Sequence, residues 1–149
     1  MAEDIAGTTA ENEALDAALA AEHAAVWGYG VVGAALGPDA REGAVAAEIT
    51  HRAARDGLLA LLAERRVEPV QPEAGYALPF PVLSAVDAAA LAAVLEEGVT
   101  RAWVRVMAEA AGRPTRELAM EVLSGAEVRA VGWRAAAGQG SVTRALPGL

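Results

Sequence analysis

The chain has 149 residues, a formal net charge of -8 and no cysteine. This length fits one domain that buries about two thirds of the surface its unfolded chain exposes. The acidic balance argues against nucleic acid and anionic membranes as partners, because both select for basic surfaces. The lack of cysteine excludes thiol catalysis, disulfides and thiolate-ligated metals.

The N-terminal segment indicates a cytoplasmic protein. MAEDIAGTTAENEALD is acidic and lacks the basic and apolar regions of a secretory signal. The longest apolar run, Ala24 to Gly37, is shorter than the roughly 20 residues that a membrane span needs. We therefore expect a buried helix in this run and no association with a membrane.

Helical spacing and chain breakers predict an all-α protein with two short turns and one long connection. Gly37-Pro38-Asp39 and Gly112-Arg113-Pro114 mark the short turns. Residues 67–83, VEPVQPEAGYALPFPVL, hold four prolines and cannot form a helix interior, but they are long enough to run the length of a helix. This order describes a four-helix bundle of ferritin-like topology. The expected helices are at about 11–36, 40–65, 84–111 and 115–137; residues 1–137 form one domain, and residues 138–149 are expected to be a mobile tail.

The stretch GYGVVG, from Gly28 to Gly33, has the G-x-G-x-x-G spacing of dinucleotide-binding turns. That mechanism requires a preceding strand and a helix that begins after the turn. The preceding residues, ALDAALAAEHAAVW, are rich in alanine and indicate a helix instead. We therefore place the glycines inside the first helix, where small residues allow another helix or an aromatic ring to approach closely.

The second helix places ionisable residues on the side predicted to face the core. Its seam, read at steps of three and four, includes Glu48, Arg52 and Arg55, with His51 one position to the side. Buried charges must be paired or bind a metal. The sequence therefore predicts a polar cluster inside the bundle.

Glu48-Ile-Thr-His51 is a Glu-x-x-His motif, which places a carboxylate and an imidazole one turn apart. A bundle can hold two metals with one Glu from each of two helices and a Glu-x-x-His from each of the other two. Counting from the short turns places glutamates of the other helices at a similar height. The candidate ligands for iron or manganese are Glu22, Glu48, His51, Glu96 and Glu127.

Several stretches resemble a family of small, alanine-rich bacterial ferritin-like proteins classed as a domain of unknown function. They are EHAAVWGYGVVGAALG, ITHRAARDGLLALL, the crossover with YALPFPV, and the end of the last helix near RAVGW. The resemblance covers roughly Ala14 to Trp133 and implies a ferritin-like four-helix bundle, often dimeric, with no known activity. From the wider ferritin-like superfamily it implies metal ligation by the same five residues.

Two features weigh against a working metal site. Ala130 stands where a second Glu-x-x-His would place its histidine, and Arg52 and Arg55 can neutralise the carboxylates in place of a metal. We therefore favour a noncatalytic scaffold or binding protein; the alternatives are an iron- or manganese-dependent oxidase or oxygenase, and a helical interaction module. The cluster in the favoured interpretation contains Glu22, Glu48, His51, Arg52, Arg55, Glu96 and Glu127.

The sequence also gives predictions for several single side chains and for the surface of the helices. We expect Glu97 to pair with Arg101 on the surface and His23 to be a partly exposed helix residue. Tyr29 lies on the seam of the first helix, where its hydroxyl needs a partner within the core. The broad apolar surface of the helices predicts a symmetric homodimer.

Overall fold

The described part of the chain, residues 2–149, forms four helices. The computed structural model describes residues 2–149, with side chains from residue 8 onward. The helices are α1 (Ala2–Ala35), α2 (Pro38–Glu64), α3 (Ala85–Glu109) and α4 (Arg113–Ala136). This described part of the chain contains no strand. The predicted all-α four-helix bundle is confirmed, although α1 begins well before the expected residue 11.

Local sequence signals set the helix ends. Ser84 caps α3 by accepting a hydrogen bond from the Asp87 backbone N–H (3.1 Å), and Asp87 in turn accepts one from Leu83 N–H (3.0 Å). The pair resembles a capping box, although Asp87 accepts from Leu83 rather than from Ser84. At the end of α2, Arg66 adopts a left-handed conformation (φ 57°), a position that glycine usually occupies. Gly138 fills the corresponding position after α4 (φ 71°).

Contacts between helix ends establish the directions of the helices. Arg65, just after α2, reaches Glu11 near the start of α1 (3.0 Å) and Thr115 near the start of α4 (3.3 Å). Thus α1 is antiparallel to α2 and parallel to α4. Trp103 contacts Glu22, and Glu96 contacts Tyr29. Residue numbers therefore rise along α1 as they fall along α3, so these two helices are also antiparallel. It follows that α2 and α3 are parallel and that the proline-rich crossover spans the bundle, as predicted.

The helices pack unevenly around the bundle. α1 packs against α2 and α3, and α3 packs against α4, whereas α2 and α4 approach each other less closely. The side of the bundle between α2 and α4 is therefore the most open. Among residues 2–149, none of the helices has the length and apolar character that a membrane span requires.

Close helix packing explains one of the three glycines in the G-x-G-x-x-G stretch. All three glycines lie within α1, so the interpretation as a helix interior is correct. A Cβ atom at Gly28 would lie 2.6 Å from Leu95 Cδ1 on α3, so the glycine allows this side chain to pack directly on the backbone of α1. No atom lies within 4 Å of a Cβ built at Gly30. Close helix packing therefore explains Gly28 but not Gly30.

Two apolar clusters form the core. One is centred on Leu15, Leu62 and Trp103, towards the end of the bundle where α1 begins. The other is centred on Val32 and Leu91, towards the opposite end. The polar residues described next lie between these clusters.

Candidate functional site

Three helices each contribute one fully buried polar side chain to the middle of the bundle. Glu22 on α1 and Glu96 on α3 are 0% exposed, and His51 on α2 is 1% exposed. His51 Nδ1 lies 2.7 Å from Glu22 Oε2, and His51 Nε2 lies 3.1 Å from Glu96 Oε1. The imidazole therefore joins the two carboxylates. We call these residues, with the three donors described next, the His51 network.

Three more side chains donate hydrogen bonds to these carboxylates. Trp103 Nε1 donates to Glu22 Oε1 (2.8 Å). The Tyr29 hydroxyl (2.5 Å) and Arg129 Nε (2.9 Å) both donate to Glu96 Oε1. Among the described residues, the other oxygen, Glu96 Oε2, is buried without a partner. The two oxygens of Glu96 thus differ sharply in their hydrogen bonding.

The charges of the network are mutually balanced. Burial disfavours the protonated imidazole, but hydrogen bonds to Glu22 and Glu96 outweigh burial and raise the pKa of His51 to about 9. Burial also opposes ionisation of Glu96, yet His51 and Arg129 lower the pKa of its carboxyl. Burial and then the Glu96 carboxylate raise the pKa of Tyr29, whose ring stacks on the imidazole. At neutral pH, the Glu96 carboxylate therefore faces an imidazolium and a guanidinium.

The prediction of a buried cluster is wrong for Glu48, Arg52 and Arg55, the members on α2 other than His51. Glu48 pairs with Arg52 on the outside of α2 (2.6 Å), and their side chains are 25% and 54% exposed. Arg55 pairs with its neighbour Asp56 (2.8 Å). The predicted seam of α2 was wrong by about one residue, so these side chains turn away from the core. The buried positions of α2 are Ala44, Ala47, His51, Leu58 and Leu62.

Glu127 does not join the His51 network either. It accepts a hydrogen bond from Arg134 Nη1 (2.7 Å), and Arg134 Nε donates to Glu97 (3.0 Å). Arg134 is 1% exposed; burial opposes its charge, but the two carboxylates outweigh burial and raise its pKa. The same guanidinium binds the Val142 carbonyl (2.9 Å), which holds the C-terminal segment against the bundle. Glu97 thus pairs with Arg134 rather than with the predicted surface partner.

The donor atoms of the network do not fit the predicted two-metal centre. Only Glu22, His51 and Glu96 of the five candidate ligands come together, while Glu48 and Glu127 are paired with arginines elsewhere. Both ring nitrogens of His51 already contact carboxylates, so a doubly protonated ring has no lone pair for a metal. In the part of the chain that the structure describes, no group of three or more His, Asp or Glu residues is arranged to hold a metal.

His23 is more buried than expected and contacts the crossover. Its side chain is 7% exposed, and Nε2 lies 3.2 Å from the Val70 carbonyl. Nearby, the rings of Trp27 and Tyr76 pack at a centroid distance of 5.7 Å. Together these contacts attach the crossover to α1 and border a cleft of about 480 Å³.

Sequence reasoning missed Arg129 as a partner of the network. The prediction noted Ala130 as the missing ligand position, and Ala130 is buried at 0% exposure. Its neighbour Arg129 is 23% exposed on its side chain and reaches Glu96 from the edge of the core. A long side chain beside a buried alanine was the available signal, because arginine can extend its charged group inward from a flanking position.

The chain is similar to proteins of undetermined function. The profile of a family described as Domain of unknown function (DUF4439) matches residues 14–149. A crystal structure of a conserved hypothetical protein, rv2844, from Mycobacterium tuberculosis is 38% identical and has a TM-score of 0.83; the match covers 85% of this chain and 96% of that chain. No curated protein matches the chain.

Proposed function

Since the chain belongs to the DUF4439 family, we propose its role from the site itself: it is a noncatalytic helical scaffold or binding protein. In this proposal the bundle is ferritin-like, and the His51 network occupies the place where such a bundle would hold metals. The network then replaces metal charge with the charges of an imidazolium and a guanidinium.

The observation that carries this proposal is the position of His51 between two carboxylates. Its ring nitrogens lie 2.7 Å and 3.1 Å from carboxylate oxygens of Glu22 and Glu96. A protonated imidazole in this position neutralises the carboxylates and offers no lone pair to a cation. Arg129 adds a second positive charge at 2.9 Å from Glu96. A divalent metal would have to displace both cations from buried partners.

The alternative is a di-iron or di-manganese carboxylate protein with oxidase or oxygenase activity. The buried Glu96 Oε2, which has no partner among the described residues, is the feature that favours this alternative. A carboxylate oxygen in that state can accept a cation or a proton. The alternative also requires Glu48 and Glu127 to leave their arginine partners and turn towards the core.

Metal loading separates the two functions. Wild-type protein is incubated anaerobically with iron(II) or manganese(II), separated from free metal, and measured for metal content and thermal unfolding. We expect retention far below one metal per chain and an unchanged unfolding temperature. Stoichiometric retention that Glu48→Gln or Glu127→Gln lowers, together with oxygen consumption by the iron-loaded protein, would establish the metal enzyme instead.

A scaffold role is consistent with a symmetric homodimer in the cytoplasm. Two large apolar side chains, Val45 and Ile49, lie one turn apart on α2 and are 48% and 62% exposed. Such pairs on one helix face form the centre of many helix-to-helix interfaces. Within the proposal, this face of α2 contacts the same face of a second copy.

A further inference from the structure

The open side of the bundle holds a groove that ends at the His51 network. It lies between α2 and α4 and has a volume of about 360 Å³. Ala54, Leu118 and Val122 provide apolar walls, while His51 and Arg129 line its polar part. Concave apolar sites with a few converging polar groups are the usual form of small-molecule sites. The groove is separate from the cleft beneath the crossover.

Arg129 has hydrogen-bond donors that the network does not use. Its Nε donates to Glu96 Oε1, but neither Nη1 nor Nη2 has a hydrogen-bond partner among the described residues. The Arg129 side chain is 23% exposed and lines the groove, so these donors are accessible from it. A guanidinium with a free edge binds a carboxylate in preference to a neutral group, because it makes charge-assisted hydrogen bonds.

Gly125 leaves space for this arginine. It lies one turn before Arg129 on α4 and also lines the groove. A Cβ atom at Gly125 would lie 3.3 Å from Arg129 Nη1, closer than ordinary contact. The glycine therefore allows the guanidinium to lie along α4 in its observed position.

We propose that the groove between α2 and α4 binds a small monocarboxylate with an apolar body, whose carboxylate pairs with the free Nη donors of Arg129. The apolar body packs on Leu118, Val122 and Ala54. One negative charge fits better than two, because Glu121 also lines the groove and the charges of the network are already balanced. The ligand carboxylate stays partly hydrated beside a partly exposed guanidinium, so no further buried counter-charge is needed.

This proposal names the ligand class of the proposed binding role and rests on it. Separate experiments test the proposed function and the ligand proposal. Metal loading tests the role of the network, and carboxylate binding tests the groove. A groove that binds no carboxylate leaves the metal-free network intact. Stoichiometric metal in the bundle would refute the proposed function, whether or not the groove binds a carboxylate.

The test compares hexanoate, hexanamide and hexylamine, which are unbranched molecules of the same carbon number and differ in charge. Binding to the full chain is followed by NMR titration of the arginine Nε–H signals at neutral pH. We expect saturable hexanoate binding, and at least tenfold weaker binding of hexanamide and hexylamine. Hexylamine binding best, with loss of that binding in Glu96→Gln, would overturn the proposal, as would the absence of saturable hexanoate binding.

Four variants locate the site. Arg129→Met should weaken hexanoate binding at least tenfold, and Arg129→Lys should weaken it less because lysine keeps the charge but loses the planar fork. Arg105→Met removes an exposed arginine of α3 and should bind hexanoate as the wild type does. Ala54→Phe fills the groove without removing a network residue, and it should weaken hexanoate binding. This variant tests the groove even if Arg129→Met fails to fold. Unchanged hexanoate affinity in Ala54→Phe would show that the groove is not the site.

Discussion

His51 Nδ1 lies 2.7 Å from Glu22 Oε2, so a buried charged contact joins α2 to α1 at mid-height in the bundle. The same ring also contacts Glu96 on α3. One side chain thus connects three helices, and its protonation state is linked to the stability of the whole bundle.

We expect the stability of the protein to fall as pH rises from about 6.5 to about 9. The pKa of His51 is raised to about 9 in the fold, so its stabilising contribution is complete below the ordinary histidine pKa and is lost as pH rises through the folded value. The charged groups facing the ring are Glu22, Glu96 and, through Glu96, Arg129. The contribution is on the order of 3 kcal/mol, to be measured by urea unfolding across this pH range.

The two histidines of the chain provide a matched control for this pH dependence. His51→Gln should be less stable than wild type at neutral pH and should lack the alkaline loss that the imidazolium causes. His23→Gln should retain that loss, because its ring contacts the Val70 carbonyl rather than a carboxylate. An unchanged alkaline loss in His51→Gln would show that other groups cause it.

Arg129→Met should destabilise the protein by about 2 kcal/mol in chemical unfolding at neutral pH. The substitution removes a charged donor from Glu96, which is 0% exposed, while His51 still balances part of the charge. Arg55→Met is the control, because Arg55 pairs with the 63% exposed Asp56 and should change stability by less than about 0.5 kcal/mol. Equal effects of the two variants would contradict the assignment of Arg129 to the network.

Tyr29→Phe should destabilise the protein by about 1.5 kcal/mol. The variant keeps the ring that stacks on His51 but removes the hydroxyl that donates to Glu96 (2.5 Å). Tyr76→Phe is the matched control, since the Tyr76 hydroxyl accepts an exposed hydrogen bond from Glu73 N–H. Thermal or urea unfolding of both variants measures the difference, and a neutral Tyr29→Phe would mean that the buried hydroxyl contributes no net stability.

Sedimentation should show a homodimer for the wild type at tens of micromolar, about the range where weak dimers persist. Ile49→Glu should shift the population to monomer, because it places a charge on the exposed apolar face of α2. Val128→Glu is the control on α4, where Val128 is 73% exposed. A strict monomer in the wild type excludes the dimer. Dissociation by Val128→Glu but not by Ile49→Glu would show that the interface does not lie on α2.

Local chemistry determined the helices and their order. Proline at residues 38 and 114 and glycine at residues 37 and 112 mark the two short turns, and the four prolines of the crossover prevent a helix there. These signals act within a few residues, so the sequence alone predicted the fold class and a crossover long enough to run the length of a helix. Tyr29, which lies on the predicted seam of α1, is 1% exposed, and Glu22 of the same helix is 0% exposed.

Tertiary packing decided which ionisable residues of α2 and α4 are buried. In these helices alanine occupies several core positions, such as Ala47 and Ala130, and it also occurs on exposed faces. A seam made of alanine has little contrast with its flanks, so its helical phase cannot be read from the sequence. An error of one residue rotates a helix face by about 100°, which put Glu48 in the place of Ala47 and Arg52 in the place of His51 on the core side of α2. Only the packing of α2 against α1 fixed that rotation, because the apolar contacts and the paired charges had to be satisfied together.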